Sequence, residues 1–172
     1  MYPKAYIEYL VHFHGDRDYF ECHEILEEHW KLDERKARKD HWVGLIQVAV
    51  SLYHQRRQNF AGAVRMMKSA LSILEREADY IQKLGLDYKP LLLLLKQRLC
   101  ELELKQPYTS INLPLSDSSL EEECMRLCTA KGMCWKSDSD LSNTFLLNKH
   151  TLRDRANIIA ERELQIEKRK QR

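Results

Sequence analysis

Glycine and proline are scarce in this chain, with five and four among 172 residues. An all-β fold of many short strands needs far more tight turns than so few can make, so that class is excluded. Long apolar runs are missing too. The longest, Leu91 to Leu95, falls well short of the roughly 20 residues that cross a bilayer. The first eighteen residues carry charges throughout and hold no signal-peptide core. There is no strong excess of one charge: the net value is +2, which gives no global pull toward nucleic acid or a membrane surface. An even cysteine count is also absent. Five cysteines without a secretory context are expected to be reduced thiols in a cytoplasmic protein.

What remains is helical material. Apolar residues make up 44% and charged residues 31%, the composition of a soluble, helix-rich protein. Apolar positions recur at helical spacing in five successive stretches. They predict helices over roughly 3–13, 18–30, 41–58, 59–84 and 89–105. Asp18, with Glu21 three residues on, resembles a capping box at the second start. Asn59 is expected to cap the fourth, where Gly62 and nearby alanines would let it approach the third closely. The third is apolar nearly all round, from Trp42 to Tyr53, and is expected to be the central buried rod. The third and fourth together resemble one tetratricopeptide-type hairpin, a single copy of a unit that needs about three for stability. The fold class expected is all-α: a helical bundle over 1–105, a linker over 106–118 rich in Pro, Ser and Thr, and a helical extension over 119–172. In that extension a short helix capped by Ser118 or Ser119 precedes a charged final helix from about Lys149 to Arg172. Leu152, Ile159 and Ile166 recur there every seven residues.

The stretch most suggestive of chemistry is Asp18 to Trp30. On a helix it aligns Phe20, His23, Glu24, Glu27 and Trp30 along one side, because residues three and four apart are surface neighbours. Two aromatic walls enclose an imidazole and two carboxylates. On the apolar third helix the polar exceptions Gln47, Ser51 and His54 lie on one stripe, and buried polar groups need partners. The expected site is therefore a polar cluster of His23, Glu24, Glu27, Gln47, Ser51 and His54, walled by Phe20 and Trp30.

Phe20-Glu21-x-His23-Glu24-x2-Glu27-x2-Trp30, followed by Gly44-Leu45-Ile46-Gln47 and Asn59-x2-Gly62-Ala63, resembles the uncharacterised bacterial and archaeal family known as domain of unknown function 309. The resemblance covers about residues 8–95. It implies an all-α fold and carries the label of predicted metal-dependent hydrolase. The segment after the linker resembles the extension of some bacillus-type members.

The residues leave several chemistries open. A zinc-protease helix places two histidines at i and i+4. Here Glu27 stands at the second position and His29 lies on the wrong face. Glu-x2-His pairs of the di-iron type do not occur. A mixed N/O set of His23 and Glu27, completed by Glu24 or His54, suits a divalent metal. Metal-free acid–base work by Glu24 and Glu27 is the second option, and a structural hydrogen-bonded cluster is the third. Cys124, Cys128 and Cys134 could join His150 around a metal, but Cys124 and Cys128 share a face with Leu120 and Leu127 and read as core. The expected function is a non-catalytic helical module with a structural His/Glu cluster, its charged last helix docking a protein partner. The alternative is a metal-dependent hydrolase built on that cluster. Nucleic acid is not an expected partner, since no aromatic residues interleave with the tail's charges. Oligomeric state is not legible.

Overall fold

The computed structural model describes residues 1–152, 159–160, 163–164 and 166–167. They fall in two compact units, Met1–Asp140 and Leu141–Arg172. The all-α expectation holds: the described secondary structure is a succession of helices with one isolated bridge, Leu86 to Leu115.

In the first unit, α1 (Lys4–His14) buries Tyr6, Tyr9, Leu10, Val11 and Phe13. A turn at Gly15–Asp18 leads into α2 (Tyr19–Leu32), whose first turn is closed by the Asp18 carboxylate accepting the Glu21 N–H at 3.0 Å. Helix α3 (Asp40–Arg56) is the central rod, packed between α2 and α4, with Leu45, Val48, Ala49 and Leu52 fully buried. Asn59 caps α4 (Phe60–Arg76) by accepting the Gly62 N–H at 3.1 Å. The first turn of α4 meets α3 as expected, with Ala63 fully buried and its carbonyl accepting from Ser51, and Gly44 allows a second close approach further along. A Cβ at Gly44 would stand 2.7 Å from Leu74 Cδ2, whereas one at Gly62 would meet only the side chain of its own cap, Asn59.

The predicted fourth helix is broken at Glu77. A separate α5 (Ala78–Lys83) follows, and the break sets Tyr80 flat against His41, ring centroids 5.0 Å apart, while burying Ile81. Gly85, at φ +72°, turns the chain into α6 (Tyr88–Glu103), which packs on α4.

The segment 106–118 is not a linker. Ile111 and Leu113 are buried, the Asp87 N–H donates to Pro114 O, and the Ser116 N–H donates to Gly85 O. Three buried side chains of the bundle grip it. His14 Nε2 accepts the Leu113 N–H, Arg17 donates to Ile111 O and Asn112 Oδ1, and Arg98 donates to Thr109 O and Oγ1. The physical reason is accounting for backbone groups. A non-helical strand carries free carbonyls, and buried cations need them. Helix α7 (Ser118–Ala130), capped by Asp117 rather than by Ser118 or Ser119, then packs on α1. The first unit thus runs to Asp140 instead of ending near 105.

In the second unit, α8 (Thr144–Leu147) is capped by Asn143, which accepts the Leu146 N–H at 3.0 Å. Beyond it, positions 149–152, 159–160, 163–164 and 166–167 are helical, so the expected start of the final helix near Lys149 agrees with the described residues. The remainder of the expected final helix, including Ala156, lies outside the described residues. None of the described helices is long and apolar enough to cross a membrane.

Candidate functional site

On helix α2 Glu27 lies four residues from His23 and three from Glu24, the spacings of surface neighbours, and the Glu24 side chain also reaches the His23 ring. His23 Nδ1 is 3.1 Å from Glu24 Oε1, and His23 Nε2 is 3.6 Å from Glu27 Oε2. One more turn on, Lys31 Nζ pairs with Glu27 Oε1 at 3.0 Å. The donor atoms of the three residues lie within 4.8 Å of one another, a spacing that one metal ion could bridge. The side chains are not deeply buried, at 27%, 33% and 35% exposure for His23, Glu24 and Glu27. Phe20 is buried beside them, its ring centroid 6.1 Å from that of His23. Trp30 is half-buried under the Arg38 guanidinium, which stacks 4.4 Å from its ring.

The α3 stripe goes elsewhere. Ser51 Oγ donates to Ala63 O at 2.7 Å, and His54 Nδ1 lies 3.2 Å from Asn59 Nδ2, so both engage α4 or its cap. Gly44 explains this direction. It faces Leu74 of α4, and Ser51, two turns along the same face, must face α4 as well. Gln47 stands apart: its Oε1 is buried without a hydrogen bond, as is Trp30 Nε1. The metal-capable set therefore comprises His23, Glu24 and Glu27, and His54 lies outside it.

The most heavily invested polar residues are ones that sequence reasoning passed over. Arg17 is fully buried at φ +57°, a left-handed backbone that costs a non-glycine residue on the order of 1 kcal/mol or more. Its guanidinium holds the turn in place by donating to Ser137 O, Phe13 O, Ile111 O and Asn112 Oδ1. Arg98 donates to Gln55 Oε1 as well as Thr109, and its Nε sits 3.0 Å from Glu101. His14 donates from Nδ1 to Leu10 O and accepts at Nε2, which requires the neutral ring. Burial, opposed only in part by the Leu10 carbonyl, pulls its pKa down to about 3. A signal was present for two of them. Arg98 continues the stripe Leu91, Leu95, Leu102, and Arg56 continues Leu45, Ala49, Leu52, so each cation occupies a core position of its helix.

Cys124 and Cys128 are buried in α7, and burial raises both thiols, Cys124 to about 12. Cys134 is exposed. No metal-capable group among the described residues includes them. A groove of about 840 Å³ runs between the start of α1 and α7, with Tyr2, Lys4, Ile7, Leu120 and Leu127 among its walls. A smaller one of about 360 Å³ lies between α1 and α2, where Glu28 and His29 take part. His23, Glu24 and Glu27 line neither.

Residues 6–66, from α1 into α4, match the family described as Domain of unknown function (DUF309). The chain is 55% identical over 170 residues to the "Uncharacterized protein YpuF" of Bacillus subtilis (strain 168), an alignment spanning 99% of this chain and 98% of that one. No solved structure matches it. Neither description names an activity, so the metal-dependent hydrolase label gains no support from them. The match takes in the whole His/Glu face of α2 together with Arg17 and Arg56, and the chain belongs to the Domain of unknown function (DUF309) family.

Proposed function

We propose that the protein is a non-catalytic helical interaction module. The observation that carries this reading is the state of the α2 face. His23 is paired with two carboxylates of its own helix, Glu27 is neutralised by Lys31, and all three site residues are about a third exposed. Each member of the face is thus met by a partner on its own helix, the arrangement of a surface ion-pair network. The polar groups that are deeply buried serve the backbone instead: Ser51, Arg17, Arg98 and His14 all bond to main-chain groups. The partner expected is an amphipathic helix, received by the tail. Leu152, Ile159 and Ile166 stand exposed at 51%, 56% and 52%, and their seven-residue spacing keeps them on one side of a helix, a short apolar stripe that an amphipathic partner could cover.

A second reading is favoured by one observation, the 4.8 Å convergence of His23, Glu24 and Glu27. One imidazole and two carboxylates fit a divalent transition metal. If one binds, these residues hold it, and the ion supplies Lewis-acid chemistry at the α2 surface. Lys31 competes with it for Glu27.

Metal content of untagged, purified protein separates the two. The module reading expects no stoichiometric metal and no saturable melting-temperature response to zinc or manganese. Stoichiometric metal that disappears in a folded Glu27→Gln variant would overturn it.

A further inference from the structure

Of the three arginines buried in the first unit, two have a polar partner beside every guanidinium nitrogen, the Arg98 Nε meeting the Glu101 carboxylate as an ion pair without hydrogen-bond geometry. Arg17 places all three guanidinium nitrogens on acceptors, and Arg98 pairs both terminal nitrogens and sets its Nε beside Glu101. Arg56 differs. It is equally buried, yet only Nη1 is bonded, to Arg17 O and Ser139 Oγ, each at 2.8 Å. Nε and Nη2 are enclosed and have no hydrogen-bond partner. These two nitrogens form one edge of the guanidinium. Their N–H bonds run parallel, the geometry that takes two oxygens of a single anion.

The surroundings suit an anion. The guanidinium stacks on Tyr19 at 4.7 Å and lies 5.6 Å from the Tyr108 ring, which fixes its plane. The hydroxyls of Tyr19, Tyr108 and Ser110 form a chain beside it. Arg56 hydrogen-bonds to a carbonyl and a hydroxyl, and the neighbouring Arg17 is held by neutral acceptors alone. Two guanidinium charges thus sit in low dielectric, one of them with its best donor edge unmatched, and burying a charge unpaired is costly. Ser139 is half-exposed and is held by Ser110 Oγ through its N–H.

We propose that the buried Nε/Nη2 edge of Arg56, whose guanidinium plane is set by Tyr19 and Tyr108 and whose Nη1 is held by Ser139, binds a small free oxyanion through a bidentate pair of charge-assisted hydrogen bonds. Enclosure favours something the size of phosphate or a simple carboxylate over a segment of a macromolecule. The site does not depend on the module reading and does not involve the α2 face.

The test is isothermal titration and thermal melting of the full chain in chloride buffers of matched ionic strength, with sodium phosphate in one arm and sodium acetate in the other. A saturable rise in melting temperature and a measurable heat in either arm are expected, and the stronger arm identifies a tetrahedral or a planar anion. Arg56→Gln should weaken the binding about tenfold or more, since it removes a charged two-point contact. Arg57→Gln, at the exposed neighbour, should leave it unchanged. If Arg56→Gln does not fold, Arg56→Lys keeps the charge without the parallel edge and should also bind more weakly. A response that is linear and alike in every salt, or a saturable one undiminished in both Arg56 variants, overturns the proposal.

Discussion

Arg17 and His23 stand on either side of the start of α2, and both look like functional residues in a motif rich in charge. Arg17 has almost no solvent contact and joins Phe13, Ile111, Asn112 and Ser137, residues far apart in the chain. His23 keeps about a quarter of its side chain in solvent and meets only neighbours on its own helix. The difference teaches where the energy lies. A buried donor that loses its acceptors, or the reverse, costs the full desolvation of the orphaned groups. An exposed pair on one helix gains little, because water and salt screen it.

The hardest test of that contrast is Arg17→Met. It orphans several buried carbonyls and the Asn112 side chain, so the expected loss is about 3–5 kcal/mol by urea denaturation. Faster hydrogen exchange is expected across 106–117 first. A loss below about 1 kcal/mol would show the grip on this segment to be incidental.

Lowering the pH probes the same region without a mutation. His14 titrates at about 3 when folded and near its ordinary 6.5 when unfolded. The unfolded chain therefore binds the proton more readily, and stability falls as the pH drops. The contribution is fully present above about pH 6.5 and declines toward pH 3, by about 1.4 kcal/mol per unit in mid-range. His41, drawn down to about 4 chiefly by burial, adds in the same direction. Denaturation midpoints that stay flat from pH 7 to pH 4 would contradict this, as would midpoints that rise on acidification.

Ser51→Ala and His23→Ala sharpen the comparison further. Sequence alone groups the two residues in one cluster. The structure sends Ser51 to Ala63 on α4 and leaves His23 on the α2 surface. Ser51→Ala should cost about 1 kcal/mol, the net value of a buried hydrogen bond. His23→Ala should cost less than that. The double variant should be additive within about 0.5 kcal/mol, as expected for sites with no shared partner. A coupling larger than that, measured by the same denaturation, would restore the single cluster.

How much was legible follows the same divide. Helical periodicity located α1, α2, α3 and α6 and identified α3 as the rod, because apolar spacing is a local property, and the cap-like serines at 118 and 119 marked the start of α7. Asp18 and Asn59 were readable as caps for the same reason. The break at Glu77 was not, since it serves the contact of Tyr80 with His41, residues distant in sequence. Within the site, His23, Glu24 and Glu27 converge because their spacing on one helix leaves them no choice. The direction of Ser51 and His54 was misread because it depends on which helix lies opposite, and the clue at Gly44 has meaning only once Leu74 is seen to fill its place.

Local sequence was enough for the helical class, the caps at Asp18 and Asn59 and the His/Glu surface of α2, all of which arise between residues a few positions apart. Only the tertiary structure decided that 106–118 is a packed strap and that Arg17, Arg56, Arg98 and His14 are interior groups. A polar side chain is expected in water by default, and it becomes a core residue only when distant backbone groups arrive to replace that water. That replacement is complete for Arg17 and half made for Arg56, a distinction visible only among atoms that folding has brought together.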